Sequence, residues 1–248
     1  MKALSPKSLG EIRMTDTERH KRKELVRAPR PRIASTIVLT HGPKDNPRIL
    51  MGQRSKKHDF MPSVYVFPGG RVDRGDSYVD YTGDLSPRTE TIMEAAFTPR
   101  KARAVVLASV RETYEETSLL LGKEAATVRN HRDPSWDAFR KAGLKADLDG
   151  IEVFGRAVTP PHRHKRFDAW FFVKHLNTPS LPKIADSAEL LNVGWFTFDE
   201  IWKLELQRAT QMMLKVLQQY LAYDRPPAHI FYSHAKHGKF LSDTFPSL

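Results

Sequence analysis

Residues 67–76 read FPGGRVDRGD, and residues 111–119 read RETYEETSL. The first stretch is typical of a strand that ends in a glycine turn, because adjacent glycines after a proline can take backbone conformations that other residues avoid. The second stretch lies near the end of a helical pattern that begins at Thr98-Pro99, where a capping residue precedes a proline in the first turn. Together they predict a strand, a turn and a long helix.

The predicted helix carries three glutamates on one face. Successive helical residues are about 100° apart, so Glu112 and Glu116 lie about 40° from each other and Glu115 lies about 60° to the other side. Carboxylates crowded in this way repel one another, which indicates a cation among them. Because hard divalent cations take oxygen ligands and also bind phosphates, the pattern favours metal-assisted phosphate chemistry.

These residues resemble the box of the Nudix hydrolases, which reads G, five residues, E, seven residues, R-E-U-x-E-E-x-G-U, with U a bulky apolar residue. Gly70, then Asp76 in place of Glu, then the run from Arg111 to Glu116 match the box in order. Residues 77–110 stand where the box has seven residues, an insertion of 27. Ser118 replaces the box glycine and Thr113 an apolar residue, so we expect the helix to continue through Leu121 and stop at Gly122.

The resemblance implies a fold and a chemistry. The expected fold is α/β (α+β), a Nudix-type α/β/α sandwich with a mixed β-sheet between helices. The expected activity is metal-dependent cleavage of a pyrophosphate bond in a nucleoside-diphosphate-linked substrate, with Mg²⁺ or Mn²⁺ as cofactor. The metal ligands would be the carbonyl of Gly70 and the carboxylates of Glu112, Glu115 and Glu116. Arg111 would orient the glutamates, and the general base would be Glu112, or Asp186 or Glu189 from a later loop.

The substrate is suggested by two further stretches. Residues 54–70 resemble, in part, a motif of Nudix coenzyme A diphosphatases, with Asp59 in place of Arg and Ser63 in place of Gly. Residues 159–168 resemble a T-P-x-x-x-x-R-R-F-D segment of a long-insertion branch that contains organellar acyl-coenzyme A diphosphatases. The predicted substrate-binding residues are Arg54, Gly69, Gly70, Arg71 and Arg166.

Coenzyme A or an acyl-coenzyme A is therefore the leading substrate. The alternatives are ADP-ribose or another nucleoside diphosphate conjugate, and a non-catalytic Nudix-fold protein that binds nucleic acid or a ligand. The insertion, residues 77–100, is interpreted either as a lid or side wall of the site or as a structural flap. Its tyrosines and Met93 are the residues that would reach the substrate. Arg166 and Asp168 are expected to form an ion pair.

Composition limits the partners. The 248-residue chain is 40% hydrophobic and carries a formal charge of +11, which favours a polyanionic partner; a small phosphorylated substrate is preferred here over nucleic acid. No apolar run approaches the roughly 18 residues of a membrane span, so no membrane partner is expected. The chain has no cysteine, which excludes disulfides and fits a reducing, cytoplasmic location.

The pattern along the chain predicts a basic N-terminal arm (1–32), a Nudix hydrolase domain (33–222) and a C-terminal tail (223–248). The arm is interpreted as solvated or lying on the domain, with nucleic-acid binding or organelle targeting as alternatives. Residues 124–143 and 199–222 are predicted to be helices, the second with a core role or at a homodimer interface. A zinc site at His162 and His164 is not favoured, since no third ligand is evident.

Overall fold

The computed structural model describes residues 29–56, 62–131, 133–161, 163–236 and 239–247. Most of the predicted basic arm, Asp59 and His162 lie outside these ranges. The main sheet is built on two long parallel strands, β1 (Arg32–His41) and β9 (Phe167–Leu176), which pair along their whole length. Alternation in β1 sends Ile37 and Leu39 to one face and Val38 to the other, and helices cover both faces.

The remaining strands of the main sheet extend from this pair on both sides. On one side lie β2 (Arg48–Arg54) and β10 (Leu190–Phe196), with β3 (Tyr65–Val66) on β2 and β4 (Gly69–Arg71) on β1. On the other side lie β8 (Ile151–Val158), β11 (Ile230–Lys236) and β12 (Lys239–Phe245). A separate three-stranded sheet contains β5 (Tyr81–Thr82), β7 (Leu144–Asp147) and β6 (Gly122–Glu124) in that order.

Helices form the outer layers of a mixed-sheet sandwich, which confirms the predicted fold class. Helices α1 (Pro87–Glu94) and α2 (Pro99–Thr117) pack on the face that holds Ile37 and Trp170. The short helix α3 (Asp137–Lys141) adds Phe139 to the same core. Helix α4 (Phe198–Ile201) and helix α5 (Arg208–Leu221) pack on the opposite face. No helix within the described ranges is long and apolar enough to cross a membrane.

Helix α2 ends earlier than predicted. Its last residue is Thr117, and Ser118 follows in the left-handed region with φ of 60° and ψ of 10°. The amide of Ser118 still donates to the carbonyl of Tyr114. Ser118 therefore takes the conformation expected of a glycine, and the predicted continuation to Gly122 is wrong. Ser63, at the other position where the related motif has glycine, also has a positive φ, 64°.

The structure also corrects the two helices predicted at residues 124–143 and 199–222. Residues 122–124 form β6 paired with β7, and among the described residues between 124 and 143 only α3 and a short 3-10 turn at Pro134–Trp136 are helical. The predicted helix 199–222 is two helices, because the chain leaves the helical path after Ile201. There the carbonyl of Glu205 accepts a hydrogen bond from the amide of Tyr65 at 2.9 Å.

The insertion is a structural part of the domain. Ile92 and Met93 of α1 are 0% exposed and lie in the core beneath α2. Next to them, Thr89 accepts a hydrogen bond from the amide of Val153, and Arg88 donates to the carbonyl of Val153, where β8 has a bulge. Since Met93 cannot leave the core to line a substrate, the expectation that it reaches the substrate is wrong, and these contacts favour the structural flap.

The C-terminal residues do not form a separate tail. Strand β11 runs parallel to β8 in the main sheet, and β12 pairs antiparallel with β11 from Ile230 to Lys236. Phe245 at the end of β12 packs on Trp170 with ring centroids 5.5 Å apart. Residues 230–236 and 239–245 are therefore integral to the sheet rather than an appendage after residue 222.

Met93→Ala should lower the free energy of unfolding by about 2–5 kcal/mol, because it opens a cavity in a fully buried place. Glu94→Ala, one residue on and exposed on the same helix, should change it by less than about 0.5 kcal/mol. Urea unfolding of both variants measures the difference. Equal, small effects would show that the insertion is not part of the core.

Ser118→Gly should raise the free energy of unfolding by about 1 kcal/mol, because glycine takes the left-handed conformation without the clash of a Cβ atom. Ser118→Ala keeps the Cβ atom and should give no gain. Thermal or urea unfolding distinguishes them. A Gly variant no more stable than the Ala variant would contradict the assignment of backbone strain to this residue.

Candidate active site

The glycine pair lies on a strand that runs beside the centre of the main sheet. Strand β4 pairs with β1 so that Ser35 lies opposite Gly70 and Thr36 opposite Gly69. A Cβ atom at Gly69 would lie 2.5 Å from the carbonyl oxygen of Ser35 and 2.7 Å from the Cα atom of Thr36. Only glycine fits this close approach of two backbones. The space beside Gly70 is filled by the carboxylate of Glu112.

A buried arginine joins the glycine turn to α2. The Nε and Nη2 atoms of Arg111 donate to Asp76 Oδ1 and Oδ2 at 2.9 and 3.2 Å. Its Nη2 atom also donates to the carbonyl of Arg71 at 2.8 Å. Arg111 is 3% exposed and Asp76 is 0% exposed. Because a bidentate pair has a fixed orientation, Asp76 sets the direction in which the remaining nitrogen of Arg111 points.

That remaining nitrogen holds two of the glutamates. Nη1 of Arg111 donates to Glu112 Oε1 at 2.8 Å and to Glu115 Oε2 at 2.7 Å. The third glutamate is held by the strand, since the amide of Gly69 donates to Glu116 Oε2 at 2.9 Å. The structure thus brings all three predicted glutamates to the glycine turn: Glu112 and Glu115 are hydrogen-bonded to Arg111, Glu116 is hydrogen-bonded to Gly69, and the Glu112 carboxylate lies beside Gly70.

Burial raises the pKa of two of these carboxyl groups. The pKa of Glu112 rises to about 7, because burial outweighs the opposing effect of Arg111. The pKa of Glu116 rises to about 8, because burial outweighs the hydrogen bond from Gly69. Burial also acts to lower the pKa of Arg111, but its hydrogen bond to Asp76 and the charge of Glu112 raise it above its ordinary value. The protein therefore carries an uncompensated negative charge here when both glutamates are ionised.

The donor set fits a hard divalent cation after side-chain rotation. In the present rotamers, no three His, Asp or Glu side chains of the described ranges converge on a point that could hold a metal ion. Glu112 and Glu115 instead each turn one oxygen to Arg111. Each glutamate retains one further oxygen, and carboxylate oxygens are the ligands that Mg²⁺ and Mn²⁺ take. A cation bound at this place would lower the raised pKa values of these carboxyl groups.

The two candidate bases in the later loop differ in their surroundings. Both oxygens of Asp186 accept backbone hydrogen bonds at 2.9 Å, from the amides of Asn192 and Val193, so this carboxylate closes a turn. Glu189 is exposed, and its carbonyl accepts a hydrogen bond from the amide of Ser55 beside Arg54. Burial lowers the pKa of Arg54, and the charges of Glu116 and Glu189 oppose that effect. Arg54, Glu116 and Glu189 are thus electrostatic neighbours.

Two predicted substrate-binding arginines have other contacts. Arg166 donates to the carbonyls of Thr159 and Pro29 at 3.0 and 2.8 Å, which ties together the two chain segments that precede β1 and β9. The predicted ion pair of Arg166 with Asp168 is wrong, because Asp168 forms a bidentate pair with Arg156 at 2.8 and 2.7 Å. The Arg71 side chain is exposed, and it is its carbonyl that contacts Arg111.

The role of Asp76 was missed by sequence reasoning beyond its place in the box. Its carboxylate lies on the far side of Arg111 from the glutamates. The signal was available in principle, because a lone acid at the end of a glycine turn needs a partner if the turn is buried. The Arg156–Asp168 pair was missed because it joins two strands and not two neighbours in sequence.

Known structures share this architecture. No family model matches the chain. The crystal structure of a Nudix hydrolase from Alicyclobacillus acidocaldarius has 24% identity and a TM-score of 0.57, over 76% of this chain and 91% of that one. The Nudix domain of Shewanella oneidensis NrtR, in complex with ADP ribose, has 13% identity and a TM-score of 0.47, over 84% and 100% of the two chains. The first of these shows that this chain has the fold of a Nudix hydrolase.

Glu116→Gln should stabilise the metal-free protein near pH 9 and have little effect near pH 5. The pKa of Glu116 in the folded protein is about 8, above its ordinary 4.5, so the folded state keeps a proton that the unfolded chain releases. Its free energy of unfolding therefore falls as the pH rises between these two pKa values, by about 1.4 kcal/mol per pH unit. Glutamine removes that loss.

The measurement is thermal unfolding in the presence of a chelator at both pH values. Glu94→Gln, an exposed glutamate on α1, is the control and should give no pH-dependent gain. A Glu116→Gln variant whose stability tracks that of the unsubstituted protein at both pH values would contradict the raised pKa.

Proposed function

We propose that this protein is a metal-dependent pyrophosphohydrolase that cleaves a diphosphate joined to a nucleoside. The observation that carries the proposal is the group formed by Arg111, Glu112, Glu115 and Glu116 against the Gly69–Gly70 strand. It supplies hard oxygen ligands, an orienting cation and a glycine backbone that a diphosphate can approach closely. The Nudix fold around this group is the fold that the resemblance in sequence implies, which supports the proposal.

In the proposed mechanism, Glu112, Glu115, Glu116 and the carbonyl of Gly70 would hold Mg²⁺ or Mn²⁺. When bound, such an ion neutralises charge on the diphosphate oxygens and lowers the pKa of a water molecule. Arg111 keeps the carboxylates aligned through its bidentate contact with Asp76. Arg54, an electrostatic neighbour of Glu116, would contact the diphosphate.

Of the two loop carboxylates, we assign Glu189 as the one that would accept the proton of the attacking water. Glu189 is exposed, and its charge influences the pKa of Glu116. Both oxygens of Asp186, in contrast, accept hydrogen bonds from backbone amides of its own turn. Glu112 is the other candidate base, and it would have to release its contact with Arg111 to act. A single carboxylate cannot serve as metal ligand and free base at once through the same oxygen.

For the substrate we propose coenzyme A or an acyl-coenzyme A, which would yield 3′,5′-ADP and a phosphopantetheine. Support comes from the resemblance over residues 54–70 and 159–168 and from the position of Arg54. ADP-ribose or another nucleoside diphosphate conjugate is the second candidate. One observation favours it: Met93 and Ile92 lie in the core, so these apolar residues of the insertion offer no wall for an acyl arm.

A non-catalytic role has less support. Its main sequence feature was Ser118 in place of the box glycine, and Ser118 keeps the left-handed conformation that glycine would supply. The backbone conformation at the end of α2 is therefore the one that the box glycine would adopt.

Purified protein should release phosphate-containing products from a panel of coenzyme A esters, ADP-ribose and dinucleotides only when Mg²⁺ or Mn²⁺ is added. Glu116→Gln should lower turnover at least about 100-fold, since even partners of metal ligands matter at that scale. Glu94→Gln should retain full turnover. Metal-independent activity, or full activity in Glu116→Gln, would overturn the mechanism. Mass spectrometry of the products shows whether coenzyme A or ADP-ribose is the preferred substrate.

Glu189→Gln should lower kcat by about 10²–10⁴-fold with little change in KM, as loss of a general base does. Asp186→Asn, three residues earlier, should lower the melting temperature and leave kcat close to that of the unsubstituted protein, because its amide nitrogen cannot accept from Val193 or Asn192. Steady-state kinetics on both variants decide the assignment. The reverse pattern would identify Asp186 as the base.

A further inference from the structure

The main sheet ends in two edge strands, and one of them, β10, is protected against pairing with another chain. Its register on β2 shifts between Leu191 and Gly194, and Asn192 has a positive φ of 49°. The amides of Asn192 and Val193 donate to the carboxylate of Asp186. Irregular register and amides that already have an acceptor both hinder the addition of a further strand. The β10 edge is therefore poorly suited to pairing.

The opposite edge, β12, has no such protection. Its seven residues pair one to one with β11 from Lys239 to Phe245, without a register shift. None of the seven is a proline or has a positive φ. Among the described strands, β11 is the only one that pairs with β12, so the outer side of β12 has no strand partner there. A regular strand with a free edge is a template for the addition of another strand.

Two apolar side chains of β12 lie outside the cores of the domain. Phe240 and Leu241 are neighbours in sequence, so they point to opposite faces of the sheet. Both are half-buried, and neither belongs to the two apolar clusters that the described residues form. Phe245 on the same strand, in contrast, packs on Trp170. The middle of β12 therefore keeps apolar surface on both faces, which a paired strand would cover.

Antiparallel pairing of β12 with a second copy of itself allows few registers. Residues that lie opposite each other in an antiparallel pair turn their N–H and C=O groups either both toward the partner strand or both away from it. These groups alternate in direction along a strand. A twofold axis between two copies must therefore pass between two copies of the same residue.

One of these registers brings opposite charges together. With the axis at Leu241, Lys239 of each copy lies opposite Asp243 of the other. With the axis at Ser242, Asp243 would lie opposite Leu241, and with the axis at Asp243 two aspartates would lie opposite each other. Lys239 is exposed, and the Asp243 side chain is 56% exposed. Because opposite charges on facing strand residues stabilise a pair and like charges destabilise it, the register about Leu241 is favoured.

We propose that this protein forms a twofold-symmetric dimer by antiparallel pairing of β12 with β12 of a second copy, with the axis at Leu241. The main sheets of the two copies then form one continuous sheet. Residues 239–243 supply two ion pairs and a contact between the two copies of Leu241. The occupant of this edge is a second copy because the strand is complementary to itself in charge. The inference goes beyond the proposed function and does not depend on it.

The test reverses each charge separately and then mixes the variants. Lys239→Glu places two acids opposite each other and Asp243→Lys two lysines, so each variant alone should dimerise at least about tenfold more weakly than the unsubstituted protein. In a dimer of one variant with the other, both facing pairs again carry opposite charges. The Kd of that mixed dimer should lie within about threefold of the original value. Sedimentation equilibrium measures each Kd.

The mixture also controls for effects within one copy. Asp243→Lys removes the hydrogen bond between Asp243 and His234, and this loss is the same in the mixture as in the variant alone. Thermal unfolding of each variant shows that it is folded. Lys203→Glu makes the same change in net charge as Lys239→Glu at an exposed lysine just after α4, and it should leave the Kd unchanged.

Three results would overturn the proposal. The first is an unsubstituted protein that stays monomeric at its highest soluble concentration. The second is a dimer whose Kd neither charge reversal changes, since its interface would lie elsewhere. The third is a mixture that dimerises no better than either variant alone, which would exclude the register about Leu241.

Discussion

The ion pair between Arg111 and Asp76 is the interaction on which the site depends. Both partners are buried, and removing one partner of a buried pair typically costs about 3–5 kcal/mol because the other is left uncompensated. The same guanidinium fixes the end of the glycine turn through the carbonyl of Arg71 and aligns Glu112 and Glu115. Strand, turn and helix are therefore held in one arrangement by a single side chain.

The ionised glutamates that would bind a cation lower the stability of the domain around that pair. Glu112 and Glu116 lie where water is largely excluded, so their ionised forms are disfavoured and the metal-free domain is least stable where both are charged. A divalent ion would relieve the repulsion among the glutamates. The surplus of positive charge on this chain favours anionic ligands.

Local sequence patterns predicted the parts of the fold that depend on neighbours in the chain, and missed the parts that depend on distant partners. The glycine pair and the Thr98-Pro99 helix start were readable because their chemistry is local. Glu124 could not be placed in a strand without knowing that Leu144 lies opposite it. Met93 belongs to the core because α1 folds back over β8. The spacing of apolar residues within α1 does not predict that packing. Arg166 resembled a substrate clamp until the carbonyls that it binds were known.

The insertion enters and leaves the domain at the amino-terminal end of α2, whereas the glutamates lie in its last two turns. A 19-residue helix is about 28 Å long, so sequence change at one end is separated from chemistry at the other by most of the width of the domain. Added chain at that end can thicken the core and lengthen the loop without moving a carboxylate. The length of the helix therefore allows the size and surface of the insertion to change while the glutamates at the other end keep their positions.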